Sequence, residues 1–308
     1  MAIVQTNVPI TAESCDRMIL ELARTYPIFR TELMATTAFQ RPIRTLVMGR
    51  GSRRVIYSAA HHANEWITAL VLLKFAEELA VAASEQGSIG GVDAQTLLDT
   101  ATIYMVPMVN PDGVDLVVGA IQPGQIPYET ARMLADRYPE IPFPDGWKAN
   151  LLGVDLNLQY PAGWLQAREI KFSQGYTRPG PRDYVGRAPL GQLEARALAG
   201  YTDFVDPAVV LAYHSQGKVI YWQFQNYVIP GARELGEAFA QVSGYTLEDV
   251  PFESSFAGYK DWFIQRFRRP GYTIEVGEGN NPLPLEQFDE IYRDNLGILT
   301  TAALGLTE

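Results

Sequence analysis

RVIYSAAHHANEW, residues 54–66, followed by the long apolar run 67–84, is the stretch on which the fold turns. Residues 54–59 read as a strand buried on both faces, a short continuous run rich in β-branched and aromatic side chains. Residues 66–84 read as a helix whose Lys74, Glu77 and Glu78 exclude a membrane span. Between them His62 and Glu65 stand three residues apart, close on one helical face or in a turn that begins a helix. An imidazole and a carboxylate at the carboxyl end of a central strand occupy the place where open α/β sheets bind ligands.

Working outward, strand-like runs fall at 43–48, 102–108, 209–213, 219–224 and 272–276. Helical patterns fall at 12–25, 129–137, 193–205, 231–242, 259–267 and 285–304. Their alternation argues for a single α/β domain spanning 1–308, with a central mixed, mostly parallel twisted sheet flanked by helices on both faces. Residues 1–40 read as a helical lead-in to that sheet. The segment 139–189 is rich in Pro, Gly, Trp and Tyr with little periodicity, and reads as long ordered loops of the kind that bind ligands.

A hydrophobic content of 47% and a charged content of 19% over 308 residues supply an ample core. The formal net charge of -10 argues against nucleic acid or an anionic membrane as partner. A single cysteine, Cys15, excludes an internal disulfide framework and fits a reducing compartment. Residues 1–12, MAIVQTNVPITA, show neither a basic start nor an apolar signal core, so a cytoplasmic protein is expected.

The chain has three histidines, His61, His62 and His214. Two imidazoles and one carboxylate make a zinc site with an open fourth position. If two histidines join Glu65 in holding an ion, the distal one is His214, which ends the apolar run AVVLAY. Taken singly, His62 reads equally as a hydrogen-bonded core histidine, and Glu65 as a carboxylate at a helix N-terminus. Two histidines at the ends of two buried strands favour the metal. His61, spaced HxxxE with Glu65, stays an alternative to His62. Glu275 ends a third apolar strand, YTIEV, and a carboxyl raised by such burial suits proton transfer.

Five strings, HHANEW (61–66), NPDG (110–113), GVDLN (153–157), YHS (213–215) and YTIEVGEG (272–279), follow in the order found in zinc carboxypeptidases. The chain resembles that family over 43–304. The resemblance implies one Zn2+ held by His62, Glu65 and His214, with Glu275 as general base. It implies Asp155 as the carboxylate that orients a ligand histidine through its second N–H. Lys148 of WKAN stands where the family has an arginine, as the cation beside the oxyanion, without an arginine's fork. The implied reaction is amide hydrolysis.

Departures from the family bear on substrate. Asn157 is kept, but Leu158 replaces the arginine that pairs with a substrate's terminal carboxylate, which an uncharged side chain cannot do. Lys260, two residues before Trp262, corresponds to the floor of the specificity pocket, where an ammonium favours an acidic side chain. The bland reading of Lys260 is an exposed lysine on the helix 259–267. The family's closing tyrosine has no match: counting back from Gly258 reaches Glu253, and Tyr259 is given no role. Arg182 and Arg187, in the long loop region, are weaker candidates for further anionic contacts and read first as surface charges.

WKANLLGVDLN, AYHSQGKVIYW and GYKDWFIQRF are similar to bacterial γ-D-glutamyl-meso-diaminopimelate peptidases, which often carry LysM wall-binding repeats not seen here. That resemblance implies hydrolysis of the γ-D-glutamyl–diaminopimelate amide, with a peptidoglycan stem peptide or muropeptide as substrate. Two other readings stand beside it. One is a metallocarboxypeptidase releasing C-terminal acidic residues. The other is a silent protein that only holds wall fragments, which would have no use for Glu275 as a base.

Overall fold

Period-two alternation along the central strands separates two cores and puts the functional side chains on one of them. The computed structural model describes residues 2–306. Among them, strands run Phe29–Thr36 (β1), Pro42–Gly49 (β2), Arg53–Ser58 (β3), Ser88–Ile89 (β4), Val92–Asp93 (β5), Ala101–Val106 (β6), Val209–Ser215 (β7), Val219–Tyr221 (β8), Thr246–Glu248 (β9) and Gly271–Val276 (β10). β4 and β5 form a small hairpin, and the rest form one sheet ordered β1-β2-β6-β3-β7-β10-β8-β9. β6, β3, β7 and β10 are mutually parallel at its centre. β1, β2 and β8 join by antiparallel pairings, and β9 runs parallel to β8.

Helices cover both faces. On one lie α1 (Ala12–Thr25), α2 (Ile67–Ser84), α3 (Ala94–Thr100), α4 (Pro111–Val117), α5 (Ile126–Ala135), α8 (Ala232–Ser243) and α10 (Phe288–Leu304). On the other lie α6 (Trp164–Ser173), α7 (Leu193–Val205) and α9 (Tyr259–Phe267). α2 is buried almost all round, which is why its sequence is an apolar run and not a stripe. On β7, Val209, Leu211 and Tyr213 enter the first core, and Val210 and Ala212 the second. On β10, Tyr272, Ile274 and Val276 enter the first. His214 and Glu275 therefore fall on the second face, where the register sets them side by side.

Two expectations need correction. The stretch 1–40 is not only a helical lead-in: it holds α1 but also β1, so the sheet begins at Phe29. β1 is an edge strand with Arg30 and Leu33 exposed, and it lacks the alternation from which a strand is read. The segment 139–189 is not loop throughout, since α6 lies within it. Only Trp164, Ala167 and Lys171 of α6 are buried, too narrow a stripe to stand out among polar neighbours.

Candidate active site

β3, β7 and β10 are adjacent and parallel, so their carboxyl ends open on one edge of the sheet. The chain leaves β3 through Ala60, whose φ of 47° lies in the left-handed region that costs a non-glycine residue roughly 1–2 kcal/mol. Neighbours hold it there. The Ala60 N–H donates to Thr68 Oγ1, its carbonyl accepts from the Asn110 N–H, and Ala59 bonds to Val106 and Val109. A short 3-10 turn, Ala63–Glu65, follows, so a turn ahead of α2 brings His62 and Glu65 together.

His62 Nδ1 lies 2.8 Å from Glu65 Oε1 and 3.2 Å from His214 Nδ1. His214 Nδ1 lies 2.9 Å from Glu65 Oε2. Two facing imidazole nitrogens bond to each other only if one of them carries a proton; a cation between them would suit both lone pairs. His62 Nε2 sits 3.1 Å from Asp155 Oδ1. An ionised carboxylate only accepts, so His62 Nε2 carries a proton, and Nδ1, turned to the cradle, is the atom whose lone pair a bound cation would take. Two imidazoles and a carboxylate with converging donor atoms fit a catalytic zinc ion.

Electrostatics favour positive charge at this point. Burial alone would depress the His62 imidazolium, but Glu65 and Asp155 outweigh it and lift the group to about 9. Burial would raise Glu65, yet His62, Lys148 and His214 hold its carboxyl well below the usual range. Asp155, which also accepts the N–H groups of Asn157 and Asp183, is held low by His62 and Lys148 against its burial. Glu275 keeps some surface open to the cleft, yet burial, then the charge of Glu65, pushes it up to about 8.

His61 is not part of the cradle. Its Nε2 bonds Ser58 Oγ at 2.9 Å, and its ring stacks on His214 with centroids 5.0 Å apart. Burial keeps it neutral, and it backs the His214 ring. Tyr259 is fully buried, with its hydroxyl bonded to Thr202, and Glu253 is exposed.

Lys148 Nζ lies 3.3 Å from Glu65 Oε1. Asn110 holds it there. Its Nδ2 is shared among the carbonyls of His61, Lys148 and Ala149, at 3.2, 3.4 and 3.1 Å, while the Ala63 N–H donates to the Lys148 carbonyl. Asn110 Oδ1 also caps α4 by accepting the Gly113 N–H. A Cβ on Gly113 would come within 2.6 Å of the Ala149 oxygen and 2.8 Å of the Ala63 Cβ, so the close approach needs glycine. NPDG thus ties the His62 loop to the Lys148 loop. Sequence reasoning used that string only as a marker; the signal for its role was Asn-Pro at a helix start.

The cleft above the cradle encloses about 730 Å3 and reaches Lys148, Asn157, Leu158, Arg182, Lys260 and Glu275. Asn157 Oδ1 accepts the Tyr259 N–H at 3.0 Å, where α9 begins. Lys260 is 4% exposed, so it is no solvated helix lysine. It is no free ammonium either: its Nζ donates to the Gln223 carbonyl at 2.6 Å and lies 2.6 Å from Asp261 Oδ1. A ligand carboxylate at Lys260 has to share it with Asp261. The reading of Arg182 as a surface charge is corrected, because it lies on the cleft wall beside Asp183. That contact arises from the fold of 139–189 and has no local signature. Arg187 is exposed.

The zinc carboxypeptidase family model matches residues 15–297. Gamma-D-glutamyl-L-diamino acid endopeptidase 1 of Lysinibacillus sphaericus is 43% identical over 280 residues, which are 91% of this chain and 68% of that protein. Two solved structures share the fold at low identity. Thrombin activatable fibrinolysis inhibitor superposes with a TM-score of 0.74 at 16% identity, over 98% of this chain and 76% of its own. Carboxypeptidase A from Helicoverpa armigera gives 0.72 at 18% identity, over 97% and 75%. With the family model spanning most of its length, this chain belongs to the zinc carboxypeptidase family.

Proposed function

We propose that this chain is a zinc peptidase that hydrolyses the γ-D-glutamyl–meso-diaminopimelate amide of peptidoglycan stem peptides and muropeptides. The observation that carries the reaction class is the convergence of His62, Glu65 and His214, with Glu275 beside His214 on the neighbouring strand. A zinc ion held there supplies Lewis acidity to the scissile carbonyl and acidifies water. Glu275 takes the proton of the attacking water and returns it to the leaving amine. Its carboxyl is pushed up by burial and by Glu65, and a cation in the cradle would lower it, favouring the ionised form that a base needs. Lys148 carries a compact positive charge to the developing oxyanion. Asp155 holds the His62 ring and its tautomer.

Three features support the substrate. The relative named as a γ-D-glutamyl-L-diamino acid endopeptidase shares 43% of its residues with this chain in the matched region. Leu158, lining the cleft, cannot anchor a C-terminal carboxylate as an arginine would. Diaminopimelate ends in both an ammonium and a carboxylate, and the buried Lys260–Asp261 pair offers both signs. Among the described residues no helix is long and apolar enough to cross a membrane. We place the activity in the cytoplasm, on imported wall fragments, a location supported by the single buried thiol of Cys15.

The test is product analysis. Zinc-loaded protein given L-Ala-γ-D-Glu-meso-diaminopimelate should release L-Ala-D-Glu. No release with zinc bound overturns the proposal, and release of C-terminal glutamate from an ordinary L-peptide would favour a carboxypeptidase with acidic preference.

A further inference from the structure

One charge cluster in the cleft has no role in the chemistry above. Asp183 is buried and meets two cations, Lys171 Nζ at 2.7 Å on Oδ1 and Arg182 Nε at 2.6 Å on Oδ2. One carboxylate against two cations leaves one positive charge in surplus. All three line the cleft, and of the two cations Arg182 is the more open, its side chain 39% exposed against 11% for Lys171. Among the described residues only Nε of Arg182 is committed, leaving its terminal amino groups to serve a ligand. Asp183 itself has φ 63°, a left-handed conformation unfavourable for a residue with a side chain and tolerated where neighbours over-determine it.

The cluster is joined to the catalytic side of the cleft. The Asp183 N–H donates to Asp155 Oδ2, the carboxylate that orients His62. The Pro181 carbonyl accepts the N–H groups of Lys148 and Ala149, at 2.8 and 2.9 Å. Arg182 therefore sits in a segment bonded directly to the loop that carries Lys148, within reach of the same cleft. In a γ-glutamyl amide the acyl carbon is the side-chain carboxyl of glutamate. The α-carboxylate stays free, a few bonds away, whereas in an ordinary α-peptide that group is consumed in the scissile bond.

We infer that Arg182, braced by Asp183 and Lys171, receives the free α-carboxylate of the γ-D-glutamyl residue and so selects γ-linked acyl donors. This inference rests on the function proposed above and assigns its acyl-side specificity. Wild type and Arg182→Gln, both zinc-loaded, are assayed on the tripeptide L-Ala-γ-D-Glu-meso-diaminopimelate. The same peptide with the glutamyl α-carboxyl converted to a carboxamide is run in parallel. Amidation should cost the wild type about 10- to 100-fold in kcat/KM, the worth of a hydrogen-bonded contact to a charged group. Arg182→Gln should lose a similar factor on the acid and treat the two substrates alike, with Arg182→Lys between. If Arg182→Gln keeps the wild-type ratio between acid and amide, the inference is overturned; a ratio does not depend on how much of the variant folds. If zinc-loaded wild type cleaves neither peptide, the proposed function fails and Arg182 loses its assignment with it.

Discussion

The two faces of β7 make an instructive contrast. Val209, Leu211 and Tyr213 point into a largely apolar core under α2, α8 and α10. Val210 and Ala212 point the other way into a second core, and the next residue on that side is His214, beside Glu275 of β10. Burial serves stability on the first face and chemistry on the second, where it neutralises His61 and raises Glu275. Buried polar atoms without a protein partner lie on both faces, Tyr213 Oη on the first and His214 Nε2 and His61 Nδ1 on the second. Unpaired buried polar groups cost stability, and burial of the apolar side chains around them has to offset that cost.

The contrast can be broken by substitutions on either side. The largest effect is expected at the chemical face. Glu275→Gln should lower turnover by about 10^2- to 10^4-fold with one zinc per chain retained, whereas His214→Ala should lose both ion and activity. Metal analysis beside product assay separates the two, and a Glu275→Gln protein that keeps wild-type turnover would put the base elsewhere. Next comes Leu211→Ala, three positions before His214 but on the apolar face. It should lower unfolding stability by about 2–5 kcal/mol in denaturant titration, through lost burial and a cavity. Zinc affinity of the folded fraction should stay unchanged; a parallel loss of zinc would show that the faces are not separable. The smallest is Asp155→Asn, which keeps shape but weakens the hold on the His62 tautomer. Zinc affinity, measured by competition with a chelator, should fall about 10- to 100-fold.

Much of this was legible in the chain. The runs ending at Ala60, His214 and Glu275 were continuous apolar segments, and a fully buried parallel strand has no other pattern. α1, α7 and α9 fall at the predicted boundaries because one face of each is distinctly more apolar than the other. β1 was illegible, since an edge strand with exposed Arg30 and Leu33 carries little burial signal. α6 was hidden likewise by its narrow stripe. Lys260 was assigned to the cleft from its spacing to Trp262, but its partner Asp261 was not singled out.

Residue order alone narrowed the candidate ligand set. With three histidines and a short list of carboxylates at strand ends, few combinations can hold an ion, and the alternation of strands and helices brings those ends to one edge. Charge compensation was decided by tertiary structure. That Lys260 is neutralised by Asp261 while Asp183, shared by Lys171 and Arg182, leaves a positive charge in the cleft depends on side chains meeting across loops. Coulombic energy follows distance and local dielectric, and neither is a property of the order of residues.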